Sequence, residues 1–230
     1  MDKLLASIRA ALTEAADPTK APAMTAYMKS AMPFLGVPKP ARAAALKGVL
    51  AAASWSDAAA WRRAALSVWR GARYREERYA AIALLRDKRA QAFHDMDALP
   101  MFEELIVTGA WWDYVDEIAG HNLGVMLDRN PAPMRESMLA WSKDSDMWKR
   151  RSSILCQLRF KERTDLPLLY ACIEPSIDSN EFFLRKAIGW ALRQYAWTDA
   201  REVQRYVKKN EARLSGLSKR EALKNVGERS

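Results

Sequence analysis

In the stretch GAWWDYVDEIAG, residues 109–120, Trp112 and Asp116 stand four positions apart. On a helix that spacing sets an indole and a carboxylate on one face about a turn apart, with Asp113 bordering the same face. A carboxylate beside an aromatic can lose its charge through desolvation or keep it where other groups hydrogen-bond it, and both outcomes are open to this pattern. Packing combined with a cap or an ion pair accounts for the same spacing. A second stretch, DMWKRRSSILCQLRFKER (146–163), places Trp148 three residues before Arg151 and gathers Arg159, Lys161 and Arg163 at a helix end. Cations there complement the helix dipole. They can also grip phosphates, and arginine does so bidentately through its planar fork. In a third stretch, NEFFLRKAIGWALRQYAW (180–197), Asn180 reads as an N-cap, and Phe183, Lys186 and Trp190 fall on related turns. Gly189 costs a helix about 1 kcal/mol relative to alanine, which points to close approach of another backbone or of a ligand, helix packing being the simpler of the two. Tyr27 belongs to a helix ahead of a Gly36–Pro38 turn, with Lys29, Lys39 and Arg42 nearby.

The elements that must hold these groups read as helices from end to end. Apolar residues recur three and four apart, β-branched runs are few, and Ala, Leu, Met, Arg and Glu abound. Breaks are expected at Asp17-Pro18, Gly36 to Pro40, Ser54 or Ser56, Gly71, Leu99-Pro100, Thr108-Gly109, Asn130-Pro131, Ser142 to Asp146, Glu174-Pro175, Thr198 and Ser218. Short connectors of this kind favour antiparallel neighbours, and about a dozen helices result. The segments YREERYAAIALL, WDYVDEIAGHNL, WKRRSSILCQL and FLRKAIGWALR echo one another, opening at Tyr74, Trp112, Trp148 and Phe183 with spacings of 38, 36 and 35 residues. That period is typical of helical-pair solenoids, in which each pair buries its apolar stripe against its neighbours. No Gly/Ser-rich linker divides the chain, so residues 1–230 are expected to form one curved domain.

Composition narrows the functional classes. The 230 residues are 50% hydrophobic and 28% charged, which excludes intrinsic disorder, and no apolar run reaches the 18 or so residues of a spanning helix. The N-terminal segment carries Asp2, Arg9 and Glu14 among its apolar positions and lacks a signal peptide's apolar core, so a cytoplasmic protein is expected. Two cysteines, Cys156 and Cys172, and two distant histidines, His94 and His121, leave no zinc, iron–sulfur or disulfide framework to build. Neither a metal nor a cofactor is expected. The net charge of +9, from 37 Lys+Arg against 28 Asp+Glu, makes nucleic acid the first partner to consider.

Taken together, the Tyr27 segment, the WWDYVD motif, Arg151, the KAIGW segment and LSKREALK (217–224) resemble the AlkD family of bacterial DNA alkylation-repair glycosylases over almost the whole chain. The resemblance implies an all-α, right-handed-type superhelical solenoid of HEAT-like antiparallel helix pairs, holding duplex DNA in a basic concave cleft. It assigns the catalytic aspartate to Asp116, the cleft tryptophans to Trp112 and Trp190, the cleft arginine to Arg151, the cleft tyrosine to Tyr27 and the adjacent aromatic pair to Phe182 and Phe183. His121-Asn122 departs from the family's Thr-Phe type pair, which leaves the preferred lesion open.

The implied reaction suits these groups. An N3- or N7-alkylated purine already carries positive charge, so the barrier lies in the sugar, where an ionised carboxylate stabilises the oxocarbenium-like state. Asp116 takes that role and positions or deprotonates the attacking water, Trp112 and Trp190 flank the sugar and the cationic lesion, and Arg151 holds a backbone phosphate. The expected activity is monofunctional release of 3-methyladenine and 7-methylguanine type lesions from double-stranded DNA by a nucleoid-associated monomer, with base flipping left open. A non-catalytic helical scaffold that binds DNA or a protein is the competing reading, and base release separates the two.

Overall fold

The computed structural model describes residues 3–226, and no strand occurs among them. The chain divides into two compact units, Met1–Phe93 and His94–Ser230. Among the described residues, no helix is long and apolar enough to cross a membrane.

The first unit contains α1 (Lys3–Glu14), α2 (Ala21–Met28), α3 (Lys39–Ala52), α4 (Ala58–Arg70) and α5 (Arg75–Leu85). The face of α1 that carries Ile8 and Leu12 packs against α3, α4 and α5, where Leu46, Trp61, Val68 and Leu85 complete the core. Each such side chain contributes about 1.5–3 kcal/mol on burial. Trp61 satisfies its indole by donating to the Leu84 carbonyl at 3.2 Å. The turn between α2 and α3 is held by a buried carboxylate: Glu76 accepts the backbone N–H groups of Leu35, Gly36 and Val37, each at 3.0 Å. Gly36 has φ +82°, and a Cβ there would lie 1.9 Å from the Asp17 carbonyl oxygen, so the position admits only glycine. Beside it the buried Glu77 receives Arg9 at 2.6 Å.

The second unit begins with α6 (Leu99–Gly109) and α7 (Trp112–Glu117). The latter passes through a wide π turn at Ile118–Leu123 into α8 (Gly124–Arg129). There follow α9 (Pro131–Trp141), α10 (Met147–Leu155), α11 (Leu166–Ile173), α12 (Phe182–Ala196), α13 (Ala200–Lys209) and α14 (Gly216–Ala222). Helix α10 lies against α7 on one side and α12 on another, and α12 packs most extensively against α14. The four echoing segments all open helices: Tyr74 is the residue before α5, Trp112 starts α7, and Trp148 and Phe183 are the second residues of α10 and α12.

Three punctuation marks differ from expectation. Asp57, rather than Ser54 or Ser56, caps α4, because its carboxylate reaches the Ala60 N–H at 2.7 Å. Asn180 stands two residues ahead of α12, too early to cap it, and its amide oxygen instead accepts from Arg185. Ser218 does not end a helix; it is buried inside α14, whose cap is Ser215, accepting the Ser218 N–H at 3.0 Å.

Candidate active site

Helices α7, α10 and α12 bring three separate sequence segments to one point. Asp116 lies in the last turn of α7, four residues beyond the half-buried Trp112 and therefore beneath it on the same face. From α10, Arg151 meets the carboxylate with both arms of its fork, Nε on Oδ1 at 2.7 Å and Nη2 on Oδ2 at 2.8 Å. Its third nitrogen, Nη1, donates to the Phe183 carbonyl at the start of α12. The side chains of the pair are 5% and 12% exposed, Arg151 being the more deeply buried. A guanidinium so far from water needs acceptors, and Asp116 supplies two. The fork of Arg151 thus grips the Asp116 carboxylate.

The electrostatics of Asp116 are a contest. Burial pushes its carboxyl above the ordinary carboxylate range, the hydrogen bonds and charge of Arg151 pull it back, and the nearby charges of Asp113 and Glu117 push it up again. Burial prevails, so the group loses its proton less readily than a free aspartate. Glu117 faces His121 across the π turn at 3.5 Å, and Asn122, buried in the same turn, lies 3.0 Å from the His94 ring. A single wide turn of this kind is common next to functional groups, and it begins two residues after Asp116.

An aromatic cluster lies against Arg151. Phe183 contacts Trp148 at 4.9 Å and Trp111 at 5.4 Å between ring centroids, Trp111 and Trp148 lie 6.2 Å apart, and Arg151 sits 5.9 Å over the Phe183 ring. The Trp111-Trp112 doublet was the available signal: adjacent residues on a helix point about 100° apart, so only one indole could share the Asp116 face while the other packed. Phe182 stacks edge-on against Phe183 at 5.3 Å and is 58% exposed. Trp190 is half-buried seven residues beyond Phe183, two turns further along the same side of α12. Tyr27 belongs to α2 in the first unit and is 77% exposed. Of the cationic cluster after α10, Arg163 is paired with Asp128, while Arg159 and Lys161 are exposed.

A carboxylate held on one side by a cation can stabilise positive charge developing in front of it. The family model for DNA alkylation repair enzymes matches residues 8–226. The chain belongs to that family. Consistent with membership, a solved structure described as a predicted DNA alkylation repair enzyme from Enterococcus faecalis is 30% identical, with a TM-score of 0.82 over 92% of this chain and 97% of that one. No curated protein matches. Membership in a DNA alkylation repair family makes DNA the substrate and repair the process.

Proposed function

We propose that the chain is a monofunctional DNA glycosylase that hydrolyses the N-glycosidic bond of cationic alkylated purines in duplex DNA, of the 3-methyladenine and 7-methylguanine type, leaving an abasic site. The observation that carries this reading is the Asp116 carboxylate, largely dry and fixed bidentately by Arg151, one turn below Trp112. A fixed negative charge in a water-poor site stabilises a deoxyribose cation more strongly than it would in bulk water, and it needs no reorganisation as the bond breaks. Ionised carboxylates offer about four lone-pair directions. Arg151 uses two of them, and the others are left for the sugar and a water. Water is then placed or deprotonated by Asp116 and adds at C1′ as the purine leaves with the bonding electron pair, which neutralises its positive charge.

Trp112 and Trp190 are proposed to flank the sugar and the lesion, where indole faces favour a cation by about 0.5–2 kcal/mol each. Phe182, Phe183 and Tyr27 are proposed as further contacts to the duplex, and Arg151, with two of its five N–H groups outside its bonds to Asp116 and Phe183, as the group that orients the carboxylate and reaches a phosphate. The four helix-opening segments support a HEAT-like array of helix pairs as the scaffold. No lysine nucleophile enters this scheme, so strand cleavage is not expected. Incubation of the purified protein with methylated duplex DNA, followed by chromatography, tests the proposal: free 7-methylguanine supports it, and its absence, with the damaged strand intact, refutes it.

A further inference from the structure

Helix α12 carries Phe183 and Trp190 on one side and is gripped on another by α14. The contact is unusually close at Gly189. A Cβ at that position would lie 2.5 Å from the Cβ of Glu221, 3.0 Å from the carbonyl oxygen of Ser218 and 3.3 Å from its Cα. These are backbone atoms and the root of a side chain, so rotamer changes cannot make room, and α14 or α12 would have to move. Polar bonds lock the same seam. Ser218 donates from its hydroxyl to the Arg185 carbonyl at 3.0 Å. Glu221 spans the glycine, with one carboxylate oxygen on Lys186 at 3.0 Å and the other on Arg193 at 3.0 Å.

Arg185, Gly189 and Arg193 recur every four residues and so define one stripe of α12, with Lys186 at its edge. Trp190 is one residue past the glycine, about 100° round the helix. A rotation of α12 about its axis therefore swings Trp190 directly, and the seam with α14 resists that rotation at the turn where the indole is rooted. Neither a surface ion pair nor a single glycine would do this alone, because exposed pairs are worth little. Here the close approach sets the distance and the bridging carboxylate sets the register.

We propose that α14 is a splint for Trp190, with Gly189 and Glu221 as positioning residues that fix where the indole stands against the lesion. This rests on the glycosylase reading above and adds a role for the far end of the chain. The test is a double-mutant cycle on the single-turnover rate of 7-methylguanine release, using Gly189→Ala, Glu221→Gln, Trp190→Ala and the two combinations with Trp190→Ala. The splint predicts about a tenfold loss for Gly189→Ala, short of the roughly hundredfold that a full 1 Å misplacement costs, and a smaller loss for Glu221→Gln. In the Trp190→Ala background neither substitution should lower the rate by more than about twofold, because the group they position is gone. Single variants at the wild-type rate, or losses that multiply unchanged in the Trp190→Ala background, would overturn it. If Gly189→Ala does not fold, Glu221→Gln alone decides by the same criterion. A wild-type protein that releases no base overturns the glycosylase reading and this proposal together, whereas an active wild type with unaffected variants overturns only the splint.

Discussion

Arg151 and Asp116 share two parallel hydrogen bonds, at 2.7 and 2.8 Å, across 35 residues of sequence. Burial pushes the Asp116 carboxyl up, and the bonds and charge of Arg151 pull it back. Without the guanidinium, burial and the neighbouring acids would drive Asp116 towards its neutral form; without burial, its field would be screened by water.

This balance sets the expected pH dependence. If base release uses the ionised carboxylate, as proposed, its acid limb should lie at higher pH than an ordinary aspartate would give, since burial raises the Asp116 carboxyl. Glu117→Gln removes a like charge and should move the limb to lower pH. Arg151→Gln removes the attraction and should move it higher. Between the ordinary and the raised value the folded chain holds a proton that the unfolded chain has lost. The contribution of Asp116 to stability is therefore present below that window and lost as pH rises through it. Single-turnover pH profiles check the signs, and shifts in the same direction for both variants would contradict the account.

The indoles should matter through charge. Replacing Trp112 or Trp190 by Leu should slow release of cationic 7-methylguanine by roughly 2- to 30-fold, the range corresponding to a lost cation–π contact. Release of a neutral lesion such as hypoxanthine should start slow and change little, so the ratio of the two rates narrows. A ratio that stays constant would mean that the indoles act only as walls.

The scaffold carries its own prediction. Glu76 is fully buried and accepts three backbone N–H groups around Gly36. Glu76→Ala strands all three and should cost about 3–5 kcal/mol in urea unfolding. Glu76→Gln keeps an acceptor and should cost less. Equal, small losses would show that the turn holds without its carboxylate.

What the sequence disclosed follows from the range of the interactions. Trp112 and Asp116 are related by helix geometry alone, so their shared face could be read directly from their spacing. Gly189 announced a close approach because a glycine inside a helix is costly, but its partner, α14, lies about thirty residues on in the chain, and the expected break at Ser218 hid that helix. The bond between Arg151 and Asp116 was unreadable for the same reason. Spacing within α10 shows that an arginine is present, while only the packing of α10 against α7 decides that its fork meets a carboxylate before any phosphate. Asn180 and Asp57 illustrate the limit on capping: several polar residues precede each helix, and the choice among them rests on backbone angles that side-chain identity does not determine.

If the charge on Asp116 performs the proposed chemistry, Asp116→Asn should abolish it, because the amide keeps the shape of the side chain and removes the charge. The measurement is release of 7-methylguanine from methylated duplex DNA under single turnover, alongside the affinity for the same duplex. Loss of oxocarbenium stabilisation predicts a fall in rate of about a hundredfold or more with affinity largely retained. An Asn variant that releases the base at the wild-type rate would contradict the account.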